Sequence, residues 1–106
     1  MSKLSRAIAG CALAAAFASP VLAADQMALA QESGCTACHS VDRKIVGPAF
    51  KDVAAKYRGD KNAEARLIKK VEQGGSGVWG QIPMPPNTQV KPEDVKKLVE
   101  WVLSLK

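Results

Sequence analysis

The chain has 106 residues, of which 47% are hydrophobic and 24% charged, and its formal net charge is +5. This length accommodates one small domain and excludes a multidomain enzyme. The lysines occur singly or in pairs and no aromatic residues are interleaved with them, so the positive charge does not indicate nucleic-acid binding.

The N-terminal residues 1–23 have the pattern of a secretory signal peptide. Two cations near the start precede an uncharged run, 7–18, that is too short to span a bilayer. The small residue Ala23 occupies the expected cleavage position, so we expect cleavage after it, with cleavage after Ala24 as the alternative. The remaining residues, 24–106, are expected to form one exported domain with no membrane span.

Apolar residues at helical spacing predict four short helices in the exported domain. Their expected bounds are Asp25 to Ser33, Phe50 to Tyr57, Asp60 or Asn62 to Gly74, and Pro92 onward. A glycine follows each of the first three helices and suits a C-terminal stop. The segment 74–90 holds four glycines and three prolines without any periodic pattern, which predicts a long irregular loop.

The last helix has the clearest pattern. Pro92 suits its first position, because proline needs no hydrogen-bond partner there. Its apolar stripe consists of Val95, Leu98, Val99 and Val102. Trp101 flanks this stripe, so we expect its ring to belong to the core.

The sequence Cys35-Thr36-Ala37-Cys38-His39 is Cys-x-x-Cys-His, the attachment signal for c-type haem. Two thiols at this spacing can add to the two vinyl groups on one porphyrin edge, and the adjacent histidine can bind the iron. A thioredoxin-like dithiol would need flanking strands, and a zinc site would need ligands that a single histidine cannot supply. The motif therefore predicts one covalently attached haem.

The single histidine limits what can bind the iron on its second side. Ligation by two histidines of one chain is impossible, so this position holds methionine, another weak ligand or nothing. Met27 lies eight residues before Cys35, which favours packing near the haem edge. Met84 lies between Pro83 and Pro85, which keep the backbone stiff and can hold a thioether in place. We therefore predict Met84 as the second axial ligand.

Four segments together resemble the small bacterial class I cytochromes c of the cytochrome c-551 type. They are Cys-Thr-Ala-Cys-His at 35–39, Val-Gly-Pro-Ala-Phe-Lys-Asp-Val-Ala at 46–54, Gly-Val-Trp-Gly-Gln-Ile-Pro-Met-Pro-Pro-Asn at 77–87, and Trp-Val-Leu at 101–103. The resemblance covers essentially all of residues 24–106. It implies an all-α class I cytochrome c fold, with about four short helices and a long Gly/Pro-rich loop wrapped around one covalently bound haem.

The same resemblance implies a role for each site residue. Cys35 and Cys38 would form the thioethers of haem c, and His39 and Met84 would be the axial ligands of its iron. The Pro48 carbonyl would accept a hydrogen bond from His39. Trp79 would donate to a haem propionate, and Asn87 would steady the Met84 loop.

A haem with both axial positions filled offers no open site to a substrate, so we predict a soluble periplasmic electron carrier that is not an enzyme. By resemblance, its partners would be met transiently by a monomer: a nitrite reductase or terminal oxidase in respiration or denitrification, a blue-copper protein, or a cytochrome bc-type donor. Lys44, Lys51 and Lys91 are candidates for steering acidic partners. The alternative is a haem enzyme or gas sensor with a vacant or labile distal site.

Overall fold

Four α-helices joined by loops make up residues 25–106, the part of the chain that this computed structural model describes. The helices are α1, Met27–Glu32; α2, Phe50–Lys56; α3, Ala63–Gln73; and α4, Pro92–Ser104, with a short 3₁₀ turn at Cys35–Ala37. Within the described residues, β-type pairing is limited to two isolated bridges. The all-α prediction is therefore confirmed, whereas the predicted signal peptide, 1–23, lies outside the described residues.

The helix ends agree with the predicted ones to within three residues, and local hydrogen bonds explain the later starts of α1 and α3. The helix α1 starts two residues late because the Asp25 carboxylate accepts the N–H of Met27 at 2.8 Å and forms a turn before the helix. A similar bond joins the Asn62 N–H to Asp60, 2.9 Å, so α3 begins at Ala63. After α1, Gly34 has φ +81°, a value that glycine adopts without strain.

The last helix organises the core. It packs against α1, α2 and α3. Its residues Val95, Leu98, Val99 and Trp101 are buried, and Val102 is half-buried, so the predicted stripe and the core position of Trp101 are confirmed. No helix within residues 25–106 has the length and apolarity needed to cross a membrane.

One cluster of buried side chains connects three helices. Ala30 of α1, Phe50 of α2, and Leu98 and Trp101 of α4 form it. The rings of Phe50 and Trp101 meet edge to face, with ring centroids 5.6 Å apart. Met27 packs against this cluster. The cluster forms one wall of a cleft, which is described next.

Candidate functional site

An open cleft of about 390 Å³ lies between the core and the long loop. Its walls are mostly apolar and include Phe50, Leu98, Val99 and Trp101. Six of the seven predicted site residues line it: Cys35, Cys38, His39, Pro48, Trp79 and Met84. The seventh, Asn87, lies just outside. The cleft thus brings together the Cys-x-x-Cys-His segment, the long loop and the last helix.

The imidazole of His39 is held in one orientation and one tautomer. Its Nδ1 lies 2.8 Å from the carbonyl oxygen of Pro48. Because a carbonyl oxygen can only accept, Nδ1 is the donor, and in the neutral ring this leaves the lone pair on Nε2. The Phe50 ring stacks on the imidazole, with centroids 4.9 Å apart and planes at 22°. A neutral imidazole with one fixed free nitrogen is the form that binds a metal.

Gly47 lets the backbone pass against the same imidazole. A Cβ atom placed there would lie within 3.0 Å of the His39 atoms Cε1, Nδ1 and Nε2, closer than real side chains pack. The Gly47 N–H donates to the carbonyl of Cys38 at 2.7 Å, so this stretch is fixed to the Cys-x-x-Cys-His motif. Sequence reasoning did not identify the roles of Gly47 and Phe50. The adjacent Pro48 was the only local signal for them.

The two cysteines project from the 3₁₀ turn that follows Gly34. Both side chains are half-buried, and neither forms a disulfide within the described residues. Burial raises the pKa of the Cys35 thiol above its ordinary 9.0, while a backbone hydrogen bond lowers it by less. Cys35 also packs against the core cluster. The turn holds the carbonyl of Cys35 within 3.2 Å of the N–H of Cys38 and 3.0 Å of that of His39, so the whole motif folds as one unit.

The backbone of Met84 is fixed at both of its polar groups. Its N–H donates to the carbonyl of Gly75 at 2.8 Å, and its carbonyl accepts the N–H of Gly75 at 3.0 Å. Farther along, the Asn87 N–H donates to Val71 of α3 at 2.9 Å, and the Asn87 side chain donates to the Pro85 carbonyl at 3.4 Å. The prolines alone therefore do not position Met84, because Gly75 binds its backbone and Val71 of α3 binds the loop that follows it.

Trp79 lies on the loop, 43% exposed, and faces a lysine. The ammonium nitrogen of Lys56 lies 5.6 Å from the centroid of the Trp79 ring and 6.0 Å from that of Tyr57. Attraction between a cation and the ring faces connects the end of α2 to the loop. This contact was not predicted, since Lys56 and Trp79 are distant in the sequence.

The lysines that the sequence suggested for partner steering are not equivalent. Lys44 lines the cleft. Lys51 forms an exposed ion pair with Asp42, 2.7 Å, and neither Lys51 nor Lys91 lines the cleft. Lys70 of α3 does line the cleft and was missed, because a charge on a helix gives no local signal of what it faces.

The donor set of this cleft fits a haem attached through a protein's own thiols. Two thiols of a Cys-x-x-Cys turn, an imidazole with a free Nε2 and a thioether all line one mostly apolar space. Met84 is the one methionine of the described residues that lines it. Imidazole and thioether are both established haem-iron ligands, whereas the site offers no group of carboxylates that would suit a hard cation. Fold and site together define a small helical protein of the covalent-haem class.

The comparisons with known proteins agree with this class, and the chain belongs to the cytochrome c family. The family described as Cytochrome c matches residues 24–106. Cytochrome c-551 of Allochromatium vinosum is 63% identical over 79 residues, which are 74% of this chain and 84% of that protein. Cytochrome c-552 of Nitrosomonas europaea is 54% identical over 78 residues, covering 74% of this chain and 76% of that protein.

A solved structure supports the fold as well as the sequence match. The crystal structure of wild-type Nitrosomonas europaea cytochrome c552 superposes with a TM-score of 0.72 at 53% identity, covering 74% of this chain and 98% of that one. The chain is thus a small class I cytochrome c of the c-551 type with the fold predicted from the sequence. As a member of this family it binds haem c with iron covalently and carries electrons.

Proposed function

We propose that Cys35 and Cys38 form the two thioethers to haem c, and that His39 Nε2 and the Met84 sulfur are the axial ligands. The observation that carries this proposal is the hydrogen bond from His39 Nδ1 to the Pro48 carbonyl, 2.8 Å long, because it leaves Nε2 as the free nitrogen. When bound, the haem supplies an iron that cycles between the ferrous and ferric states.

The protein environment of the ligands favours repeated electron transfer with little structural change. Phe50 and Gly47 confine the imidazole of His39 from two sides. The bridge to Gly75 confines the backbone of Met84. Since neither residue needs to leave its place when the iron changes charge, reorganisation stays small. A soft thioether and mostly apolar walls both favour ferrous iron and so raise the reduction potential.

The other predicted residues support the same site from its edges. Trp79 would donate its indole N–H to a propionate of the bound haem, and the contact with the Lys56 ammonium would help to hold its ring in place. Asn87 steadies the Met84 loop through its bonds to Val71 and Pro85. With His39 and Met84 both bound to it, the iron would offer no open position to a substrate. We therefore propose a carrier and not an enzyme.

The signal-like pattern of residues 1–23 supports export, so we propose that residues 24–106 act in the periplasm as a soluble monomer. The c-551 resemblance supports a nitrite reductase or a terminal oxidase as acceptor, in respiration or denitrification. A blue-copper protein or a cytochrome bc-type donor would exchange electrons with it in the same compartment. Such partners meet a carrier briefly, over a small area of contact.

The ligand set can be tested by spectroscopy of the oxidised holoprotein. We expect an absorption band from charge transfer between the thioether and the iron, which Met84→Ala abolishes. Met27→Leu is the matched control, because Met27 packs against the core and does not line the cleft.

The reduced wild type should resist carbon monoxide at neutral pH, whereas Met84→Ala should bind it. Rapid binding by the wild type would instead favour an enzyme or gas sensor with an open distal site.

A further inference from the structure

The glycine that ends α3 lies directly against the backbone of the loop that carries Met84. A Cβ atom placed on Gly74 would lie 2.9 Å from the nitrogen of Pro86 and 3.1 Å from the carbonyl carbon of Pro85, and closer still to the carbonyl oxygen of Met84. All three are main-chain atoms, which cannot rotate away as the end of a side chain can. Only a residue without a Cβ therefore lets the end of α3 and this loop approach so closely.

The backbone of Gly74 is itself fixed to the helix. Its N–H donates to the carbonyl of Lys70 at 2.7 Å, which joins it to the last turn of α3. Its φ of +73° and ψ of −174° lie in a region that essentially only glycine adopts. Gly74 therefore cannot move back from the loop without disrupting the end of the helix.

The neighbouring glycine has a more yielding neighbour. A Cβ placed on Gly75 would lie 2.6 Å from the ammonium nitrogen of Lys70 and 3.4 Å from its Cδ. These atoms belong to the far part of a flexible side chain, which can swing aside. Gly75 holds Met84 by two backbone hydrogen bonds, whereas Gly74 determines how close the loop lies to α3.

Hydrogen bonds on both sides of the Gly74 contact hold the loop against α3. On one side, Gly75 and Met84 exchange two backbone bonds of 3.0 and 2.8 Å. On the other side, the N–H of Asn87 donates to the carbonyl of Val71 at 2.9 Å. An extra atom between these two attachments cannot be accommodated by tilting the loop, because either direction of tilt stretches one of them. The loop must instead move away from α3, and Met84 moves with it.

We infer that Gly74 is a positioning residue for Met84: the absence of a side chain at position 74 sets the place from which the loop presents the thioether to the cleft. The inference rests on the proposed function, because it takes Met84 as the second axial ligand. A thioether is a soft ligand and favours ferrous iron, so the oxidised protein depends more on this positioning than the reduced protein does. The effect of a side chain at position 74 should therefore be measured in the oxidised form.

The oxidised holoprotein can be titrated with imidazole, which competes with Met84 for the iron. In Gly74→Ala we expect imidazole to bind about tenfold more tightly than in the wild type, because the overfilled contact is relieved when Met84 leaves. This factor corresponds to about 1.4 kcal/mol, within the usual cost of overfilling a packed site. The matched control is Gly59→Ala. Gly59 also follows a helix and has φ +82°, but an added Cβ there would meet no described atom within 4 Å, so this variant should keep the wild-type affinity.

Amide hydrogen exchange tests the same contact without an added ligand. The amide of Met84, which donates to Gly75, should exchange faster in Gly74→Ala by a similar factor. The amide of Gly47, which donates to Cys38 on the His39 side, should keep its rate once the change in global stability is subtracted. In the wild type, the amides of Met84 and Asn87 should exchange through one shared opening of the loop. This last measurement does not require any variant to fold.

The outcomes separate the inference from the proposed ligand set. Wild-type imidazole affinity in Gly74→Ala, or an equal gain in Gly74→Ala and Gly59→Ala, would overturn the role of Gly74. Exchange of the Met84 and Asn87 amides through separate openings in the wild type would overturn it as well. In either case, a wild type that shows the thioether-to-iron band leaves the proposed carrier standing. Absence of that band from the wild type would instead overturn the ligand set, and the inference with it.

Discussion

A methyl group at position 47 should disturb the proposed iron ligand more than its size suggests. The Cβ of Gly47→Ala would lie within 3.0 Å of three ring atoms of His39. Carbon atoms pack at about 3.5 to 4 Å and the nearest ring atom, Cε1, would lie well inside that distance, so the imidazole or the backbone must move by roughly 1 to 1.5 Å. The backbone is fixed by the 2.7 Å bond to Cys38, and the ring is fixed by Pro48 and Phe50. The imidazole must therefore leave its preferred position.

The size of the effect follows from the cost of overfilling a packed site. Such insertions destabilise proteins by about 1 to 3 kcal/mol. For a domain of this size, a loss of about 2 kcal/mol lowers the Tm by about 8 to 16 °C. Thermal unfolding of the holoprotein, followed by circular dichroism, measures this loss. The oxidised spectrum of Gly47→Ala should also change, because the displaced imidazole binds iron less well.

The control separates loss of stability from damage to the ligand. Gly59 has φ +82° and an added Cβ there would meet no atom within 4 Å. Gly59→Ala should thus lower the Tm through backbone strain of about 1 to 2 kcal/mol and leave the spectrum unchanged. A Gly47→Ala protein with the wild-type Tm and the wild-type spectrum would refute the proposed confinement of His39.

Three further changes test other contacts. Phe50→Leu removes the ring stacked on His39 and should lower the free energy of unfolding by about 1 to 3 kcal/mol, measured by denaturant titration. A double-mutant cycle of Lys56→Gln and Trp79→Leu should give a coupling of about 0.5 to 1 kcal/mol, and zero coupling would exclude the cation–ring contact. The pKa of Asp60 is held below its ordinary 3.8, mainly by the hydrogen bond from the Asn62 N–H and to a smaller extent by the side chain of Arg66. The ionised carboxylate therefore stabilises the fold near neutral pH. That contribution is lost as the pH falls through the lowered pKa, so the Tm difference between wild type and Asp60→Asn should shrink from about pH 5 to about pH 2.

Local features of the fold were predictable because each depends on a few adjacent residues. Pro92 begins α4 where a proline is tolerated, and Gly34 and Gly74 end helices with positive φ. The bounds of α1 and α3 were less accurate, because the carboxylates of Asp25 and Asp60 hold turns that compete with the first helical turn. The spacing of apolar residues predicts which face of a helix is buried, but it does not predict the residue at which a competing hydrogen bond delays the start of the helix.

The proposed ligand residues were predictable for a different reason. The spacing of the two vinyl groups of haem requires the spacing of the two cysteines in Cys-x-x-Cys-His. Five adjacent residues are therefore enough to predict the attachment site and one ligand of the iron. What holds His39 and Met84 is not local. Phe50 reaches His39 only after the chain turns, and Gly75 reaches Met84 only after the long loop closes. No pattern within a short window contains either contact.

The two sides of the cleft are held by separate parts of the chain, which meet through α4. The His39 side depends on Gly47, Pro48 and α2, whereas the Met84 side depends on Gly75 and, through Val71, on α3. The helix α4 packs against both α2 and α3, so it fixes the spacing between the two sides. Changes on one side should therefore alter one proposed ligand and leave the other in place. A substitution on the buried face of α4 should instead weaken the positioning of both proposed ligands, because α4 fixes the distance between the two sides of the cleft.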